Sequence, residues 1–267
     1  MFEALQFEYM QNALLAALLG GIACGVIGSF VVVKKIGYIS GGIAHASFGG
    51  IGLAYLIGVN PVTCLIPFTL ISAWTIGIIS RKANVSEDTA IGMLWTAGMA
   101  LGVIFVGLTP GYVPDLFSYL FGNILTIPGN DLYLMAALDV IIIVSVALFY
   151  REFLAISFDE EYARASGLNT LIMYLFLLSL VAVTIVMLIR IVGIILVIAL
   201  LTIPPSIARQ YTGNLKPMML LSAVLGTILT LGGLWCSYIL DIASGATIIL
   251  LLAAAFVVST LITRMRK

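Results

Sequence analysis

Long apolar segments separated by short polar breaks dominate the hydrophobic pattern of the chain. Each segment approaches the ~20 residues that a helix needs to cross a ~30 Å hydrocarbon layer. The pattern predicts an all-α membrane protein, a polytopic bundle of about nine transmembrane helices. The predicted spans are residues 10–33, 39–58, 62–80, 90–108, 132–150, 170–189, 191–208, 218–240 and 246–263. An eight-helix bundle remains open because Pro204 and Pro205 interrupt the span 191–208.

Residues 111–130 break this pattern of crossings. They read GYVPDLFSYLFGNILTIPGN, which is too short and too interrupted by Gly, Pro and Asn to cross a bilayer. We expect a short re-entrant or interfacial segment at the outer surface, protected from lipid by the bundle. No soluble domain, repeat or low-complexity linker is evident, so residues 1–267 are predicted to form a single transmembrane domain.

Composition excludes a soluble protein and most nucleic-acid partners. Hydrophobic residues make up 62% of the chain, charged residues 9%, and the mean hydropathy is +1.21. Soluble domains carry about one quarter charged residues. The formal net charge is zero, and no basic stripe could follow a phosphate backbone. The lipid bilayer is therefore the expected surrounding, and nucleic acid is not expected as a partner.

Basic residues predict the orientation, because loops rich in Lys and Arg stay in the cytoplasm. Nine crossings place eleven of the twelve basic residues on one side, with Arg190 as the exception. The predicted cytoplasmic set is Lys34, Lys35, Arg81, Lys82, Arg151, Arg164, Arg209, Lys216, Arg264, Arg266 and Lys267. We expect a multi-pass protein of a cytoplasmic (inner) membrane, with its N-terminus outside and its C-terminus in the cytoplasm. The first nine residues lack the basic region of a cleaved signal peptide, so we expect them to be retained.

The sequence lacks an ATP-binding motif and lacks paired cysteine motifs. The chain has no phosphate-binding loop of the type G-x-x-x-x-G-K-[ST], so any ATP dependence must come from another subunit. Cys24, Cys64 and Cys236 lie far apart in apolar runs, without the spacing of a zinc motif or a disulfide framework. We expect them to be buried apolar residues; a soft ligand on a metal path is the alternative.

The segment from Ser40 to Gly58, SGGIAHASFGGIGLAYLIG, contains His45, the single histidine of the chain. At helical spacing it has two small-residue faces. One face, Gly42, Ala46, Gly50 and Ala54, predicts close helix packing in lipid. The other face holds His45 among Gly41, Gly49 and Gly52, so we expect its imidazole to reach a cavity or a partner. It is either a packing residue or a ligand, and the cost of an ionisable group in a membrane favours function.

Two acidic residues are further candidates on a cation path. Asp139 interrupts the apolar run LMAALDVIIIVSVALF, where a carboxylate must face the bundle interior. It is predicted to be an oxygen ligand or a proton acceptor, or else a structural partner of Arg190 or a hydroxyl group. Asp241 follows SYIL at an outer helix end, where solvation alone is the more usual role.

The longest cytoplasmic loop, residues 151–169, reads REFLAISFDEEYARASGLN. Residues 158–166 could form a short amphipathic helix, with Asp159 near its positive N-terminal end and Gly167 at its stop. It is the best candidate for docking a partner; a solvated loop is the alternative.

Several of these stretches together resemble the ABC-type zinc and manganese permeases, the ABC-3 family. They are FEYMQNALLAALLGGIACGVIGSFVVVKK, SGGIAHASFGGIGLAYLIG, EDTAIGMLWTAGMALGV, DLFSYLFGNIL, SFDEEYARASGL, VGIILVIALLTIPPSIAR and SYILDIASGATIIL. No single stretch is decisive, but their order and spacing cover essentially the whole chain.

The resemblance implies the permease subunit of an ATP-binding-cassette importer for a divalent transition metal, zinc or manganese and possibly iron, in a bacterial or archaeal inner membrane. The fold would be similar to that of the cobalamin importers. Expected partners are a second copy of the chain, a cytoplasmic ATPase dimer and an external metal-binding protein. The chain itself would be non-catalytic and hold no cofactor. The resemblance also makes residues 158–167 a coupling helix, with contacts to the ATPase expected from Phe158, Asp159, Glu160, Glu161, Ala163, Arg164 and Gly167.

One departure from the family pattern concerns the metal path. Many members carry G-D-A-L-S-H-A where this chain has SGGIAHA from Ser40 to Ala46, so the histidine matches at His45 and Gly41 replaces the aspartate. Our hypothesis is that Asp139, Asp241 or both supply the missing oxygen ligand, because imidazole plus carboxylate suits zinc, manganese or ferrous iron.

Two other classes of function remain open from the residues alone. A gradient-driven secondary metal transporter or channel would need no ATPase-docking helix. An intramembrane enzyme would need a metal-ligand pair near a nucleophile or a held water, and no HExxH or GxGD-like motif is present.

Overall fold

The computed structural model describes residues 6–82, 86–111, 117–194 and 197–265, and every regular element in this part of the chain is helical. The α-helices are α1 (Glu8–Lys34), α2 (Gly37–Ala46), α3 (Phe48–Ile57), α4 (Pro61–Lys82), α5 (Glu87–Leu108), α6 (Phe117–Phe121), α7 (Gly129–Leu148), α8 (Tyr150–Phe158), α9 (Glu160–Ala165), α10 (Thr170–Val192), α11 (Val197–Tyr211), α12 (Leu215–Leu240) and α13 (Ser244–Met265). A short 3₁₀-helix covers Ile124–Thr126. The predicted all-α class is confirmed.

Seven described helices are long and apolar enough to cross a membrane, and each corresponds to a predicted span. They are α1, α4, α5, α7, α10, α12 and α13. The two remaining predicted spans, residues 39–58 and 191–208, are covered by shorter helices.

The span 39–58 is divided into α2 and α3, ten residues each, which meet at Ser47. The Ser47 hydroxyl donates a hydrogen bond of 2.5 Å to the Ala44 carbonyl, three residues back. Such local bonds compete with the helical ladder and bend helices. The sequence pattern alone does not reveal this break, because its apolar residues continue through it.

The span 191–208 begins later than predicted. α10 ends at Val192, and Gly193 then adopts a left-handed backbone with φ of 77°. α11 starts only at Val197 and runs through Pro204 and Pro205, so the expected interruption at the prolines is wrong. The break lies instead at Gly193, where a Cβ atom would stand 2.5 Å from the Leu120 carbonyl oxygen.

The chain divides into two units. The α5 unit contains residues 33–116 and 149–186, and the α12 unit contains residues 1–32, 117–148 and 187–267. In the α5 unit, α2 and α3 pack against both α4 and α5. Glycine makes this possible: a Cβ atom at Gly98 would lie 2.5 Å from the Cα of Ala46, and one at Gly52 would lie 2.5 Å from the carbonyl oxygen of Gly102. The predicted close packing of this segment is confirmed.

Contacts within the α5 unit show that α2 and α3 together act as one crossing. Lys34 at the end of α1 and Arg81 near the end of α4 both contact Glu160 of α9. These two helix ends therefore lie at the same face of the unit. Since α4 is long enough to span a membrane, it must start at the opposite face. Residues 37–57 must therefore carry the chain from one face to the other.

The α12 unit contains α7 and α11–α13, with α1 packed against α12 at two glycines. A Cβ atom at Gly25 would stand 2.5 Å from the Cα of Ala223, and one at Gly21 would lie 2.8 Å from the Thr227 nitrogen. The guanidinium of Arg209 donates to the Val32 carbonyl over 3.2 Å, which brings the ends of α1 and α11 together. α11 thus returns the chain to the face at which α1 ends.

Residues 117–128 form only two short helical turns. Asn12 near the start of α1 donates to the Ile127 carbonyl over 3.2 Å. Asn123 accepts a hydrogen bond of 3.5 Å from Ser244 at the start of α13. These contacts hold the segment at the face where α1 begins. Part of the predicted re-entrant stretch, residues 112–116, lies outside the described residues.

Candidate functional site

His45 lies in the last turn of α2 and is only 8% exposed. Its ring stacks on the indole of Trp95 in α5, with centroids 3.9 Å apart and planes 10° from parallel. The Nδ1 atom is buried without a hydrogen-bond partner in the described part of the chain. A buried nitrogen without a partner is costly, so this atom is a candidate for holding a ligand.

The bare face that the sequence predicted around His45 is not open within this chain, and this expectation is wrong. α5 covers it, because glycines on both helices let the backbones meet. A Cβ atom at Gly49 would stand 3.0 Å from the carbonyl oxygen of Gly98. Tight backbone packing brings Trp95 onto the imidazole, and the histidine is therefore held in one orientation rather than projecting freely.

Asp139 lies in α7 with 3% of its surface exposed, which agrees with the predicted interior position. Neither carboxylate oxygen has a hydrogen-bond partner among the described residues. The side chain of Arg190, one expected partner, lies outside the described part. The Cys24 thiol of α1, in the same unit, is fully buried. A buried carboxylate without a described partner is costly, so Asp139 is a candidate for holding a cation or a proton.

Asp241 has a structural explanation instead. It follows α12 with a left-handed backbone, φ of 51°, and its side chain is exposed. Asp tolerates this conformation better than most residues, so it suits the turn between α12 and α13. The neighbouring Ser237 hydroxyl donates to the Ile242 carbonyl over 2.5 Å and ties the same turn.

The three predicted metal residues belong to different units, His45 to the α5 unit and the two aspartates to the α12 unit. No group of three or more His, Cys, Asp or Glu side chains in the described ranges is arranged to hold a metal ion. A transport site must release its ion, so a closed cage of the structural type is not required.

The predicted coupling segment forms α9, a six-residue helix with defined caps. The Asp159 carboxylate accepts a hydrogen bond of 2.8 Å from the Tyr162 amide, as an N-cap does. Gly167 has a left-handed backbone, φ of 86°. The Gly167 and Leu168 amides donate to the Arg164 and Ala163 carbonyls, which is the Schellman ending of a helix. Both predicted end signals act as expected; Phe158 belongs to the preceding helix α8.

α9 presents two different faces. Ala163 is buried, and Glu160 points toward Arg81 and Lys34. Tyr162 is 66% exposed, and Glu161, Arg164 and Gly167 are exposed beside it; Phe158, the last residue of α8, is 63% exposed. Exposed aromatic residues next to a short polar helix are typical of the anchors of protein interfaces.

Sequence reasoning missed three residues that the structure brings to these sites. Trp95 lies in the stretch EDTAIGMLWTAGMALGV. The one feature of the sequence that could have drawn attention to it is a single large aromatic side chain among small residues. Lys34 and Arg81 were considered only for orientation. Their pairing with Glu160 joins residues 79 to 126 positions apart in the chain, and no local pattern reveals such a contact.

Comparison with known proteins agrees with this architecture. Residues 6–263 match the ABC 3 transport family. An uncharacterized membrane protein of Synechocystis is 48% identical over 97% of this chain and 92% of its own length. The manganese transport system membrane protein MntC of Listeria monocytogenes is 35% identical over 96% of this chain and 91% of its own length. The structure of PsaBC from Streptococcus pneumoniae in complex with Fab has a TM-score of 0.87 and 32% identity, and the match covers 97% of this chain and 93% of that one.

This chain belongs to the ABC 3 transport family. The family resemblance and the permease fold predicted from the sequence are confirmed.

Proposed function

We propose that the chain is the membrane-spanning permease subunit of an ATP-driven importer for a divalent transition metal, with manganese as the first candidate cargo. The observation that carries the proposal is the agreement of fold and sequence, along nearly the whole chain, with relatives named for manganese transport. Zinc and iron remain within the chemistry that imidazole and carboxylate ligands can hold.

The proposed path for the cargo uses His45 and Asp139. Each is buried without a described hydrogen-bond partner, and imidazole nitrogen and carboxylate oxygen are both ligand types that manganese and zinc accept. Gly41 stands where many family members have an aspartate, so Asp139 is the preferred source of the missing oxygen. Asp241 is the weaker candidate because it is exposed at a helix end.

The proposed coupling to ATP runs through α9. Its exposed residues, with Tyr162 of α9 and the adjoining Phe158 of α8 as anchors, would dock on a cytoplasmic ATPase subunit. Two copies of the chain, two ATPase subunits and an external metal-binding protein complete the proposed assembly. The chain itself would perform no catalysis. ATP binding and hydrolysis would move α9 and alternate the pathway between outward and inward access.

Transport in proteoliposomes tests the proposal. Vesicles would contain this chain, its ATPase and its binding protein, and uptake of manganese, zinc and iron would be followed with and without ATP. ATP-dependent uptake of one metal, lost in His45→Ala, is the expected result. Uptake without the ATPase would contradict the proposal in favour of a gradient-driven transporter or channel.

A further inference from the structure

A cluster of charged residues joins α9 to the ends of two membrane-spanning helices. Arg81 of α4 makes two hydrogen bonds to the Glu160 carboxylate, the second at 2.8 Å. Lys34 of α1 lies 3.5 Å from the same carboxylate and donates to the Ile156 carbonyl of α8 over 2.5 Å. Paired Arg–carboxylate bonds fix orientation as well as distance. We call Lys34, Arg81, Glu160 and the Tyr174 ring beside them the Glu160 cluster.

The Glu160 cluster is sheltered more than an ordinary surface ion pair. The side chains of Lys34, Arg81 and Glu160 are 11%, 22% and 29% exposed. The Arg81 guanidinium also stacks over the ring of Tyr174 in α10, 3.8 Å from its centroid. Partial burial and the aromatic face strengthen interactions that solvent would otherwise weaken. The cluster therefore ties α9 to α1, α4 and α10 at once.

In the described part of the chain, the packing contacts of α9 are mainly with α8 rather than with these helices. On the side of the cluster there is a cavity of about 640 Å³, bordered by Glu160 and Arg164 of α9 and by residues near the ends of α1, α4, α5 and α10. A space of this size leaves α9 free of close apolar packing there. On this side, ionic contacts rather than apolar packing connect α9 to these helices.

We propose that the Glu160 cluster is the mechanical link through which displacement of α9 moves α1, α4 and α10. Arg81 and Lys34 are positioning residues in this account, since they act on the transport path through Glu160. The inference rests on the proposed function, because it takes α9 to be the segment that an ATPase moves. The inference identifies the contact, the Glu160 cluster, through which a movement of α9 would be transmitted to the membrane-spanning helices.

The test measures metal transported per ATP hydrolysed in the same proteoliposomes. Glu160→Gln and Arg81→Gln remove the pairing, and Arg81→Lys keeps the charge without the double hydrogen bond. The matched control is Lys35→Gln, which removes an exposed cation beside Lys34 for which no ion pair is described. Co-purification with the ATPase checks that each variant assembles. We expect the transported metal per ATP to fall about tenfold in both Gln variants, within the usual range of coupling between sites. Arg81→Lys should be intermediate, and the control should match wild type.

A charge exchange separates coupling from simple stability. The double variant Arg81→Glu, Glu160→Arg retains a pair of opposite charges and the total charge of the cluster. Each of the two single variants instead places two like charges next to each other. Recovery in the double variant relative to both single variants would support the link. The proposed link would be overturned if uptake and ATP hydrolysis fell equally in every variant. It would also be overturned if the metal transported per ATP hydrolysed were unchanged in Glu160→Gln. Failure of the proposed function itself is distinguishable, because wild type would then show no ATP-dependent uptake of any metal.

Discussion

At the residue scale, the metal path depends on which side chains can offer a ligand atom to a cation. We expect His45→Ala to abolish uptake, and Asp139→Asn to lower it about 10- to 100-fold, the range seen when groups that support a metal site are lost. Asp241→Asn should retain uptake, because Asp241 is exposed at the end of α12. Initial rates of manganese uptake would be measured for each variant. Loss in His45→Ala with full uptake in the combined Asp139→Asn and Asp241→Asn variant would refute the idea that an aspartate compensates for Gly41.

Trp95 supplies a second residue-scale prediction. Its indole fixes the plane of the His45 imidazole, so its removal should weaken cargo binding without removing a ligand. Aromatic pairs contribute about 0.5–1.5 kcal/mol beyond area burial, which corresponds to about a 2- to 12-fold change in affinity. We expect Trp95→Ala to raise the half-saturating metal concentration by that factor and Trp95→Phe to preserve most of the interaction. Trp235→Ala, in α12, is the control; an equal effect there would argue against a specific role for Trp95.

At the element scale, α5 packs through its glycines, and one helix offers both a test and its control. A Cβ atom at Gly98 would stand 2.5 Å from the Cα of Ala46, where the backbone cannot yield easily. Overpacking of this kind costs about 1–3 kcal/mol. At Gly92 and Gly107 of the same helix, an added Cβ would have no neighbour within 4 Å. We expect Gly98→Ala to lower the thermal midpoint in detergent. Gly92→Ala and Gly107→Ala should leave it unchanged or raise it, since Ala favours a helix.

The attachment of α9 has a definite pH dependence. Burial raises the pKa of the Glu160 carboxyl, but the hydrogen bonds and charge of Arg81, with the charge of Lys34, outweigh burial and hold the pKa below its ordinary value. A lowered carboxyl pKa stabilises the fold above the pKa of the unfolded chain, about 4.3 for Glu, and that contribution is lost as pH falls through the folded value. The cluster should therefore be intact near neutral pH. We expect stability to decline less steeply in acid for Glu160→Gln than for wild type in thermal unfolding, and identical slopes would contradict this.

The elements show where a sequence is sufficient and where it is not. Apolar length alone located the seven long helices, because lipid imposes the same requirement on each of them. Local end signals at Asp159 and Gly167 were enough to place α9. The break at Ser47 and the stop at Gly193 were missed, since both lie inside continuous apolar runs. The Trp95 stack and the Glu160 cluster depend on residues distant in the chain, and periodicity carries no information about them.

At the scale of the whole molecule, contacts within each unit and the distribution of charge lead to the same number of crossings. Lys34, Arg81 and Glu160 meet in the α5 unit, and Arg209 reaches Val32 in the α12 unit. Seven long helices cross the membrane. These contacts require two further segments, residues 37–57 and α11, each to carry the chain across once more. For the described residues this gives nine crossings, the number that the hydrophobic pattern predicts, and seven of them are single helices long enough to span a membrane. Within each unit, the described basic residues Lys34, Arg81 and Arg209 lie at the helix ends that these contacts join, and we infer that these ends face the cytoplasm.

Labelling of single cysteines tests this orientation directly. In a variant whose native Cys24, Cys64 and Cys236 are replaced by Ala, Val59→Cys would lie between α3 and α4, and Ser166→Cys at the end of α9. Both positions are exposed, so a membrane-impermeant maleimide can reach them once it is on the correct side.

In intact cells we expect Val59→Cys to react and Ser166→Cys to react only after permeabilisation. Because the two sites are separated by α4, α5 and α7, an odd number of crossings, they must lie on opposite sides. Reaction of Ser166→Cys alone in intact cells would invert the orientation and place α9 outside, beyond the reach of any cytoplasmic ATPase. Reaction of both would mean that one of these three helices fails to cross. The labelling pattern therefore decides, before any transport is measured, whether α9 stands where coupling to ATP requires it.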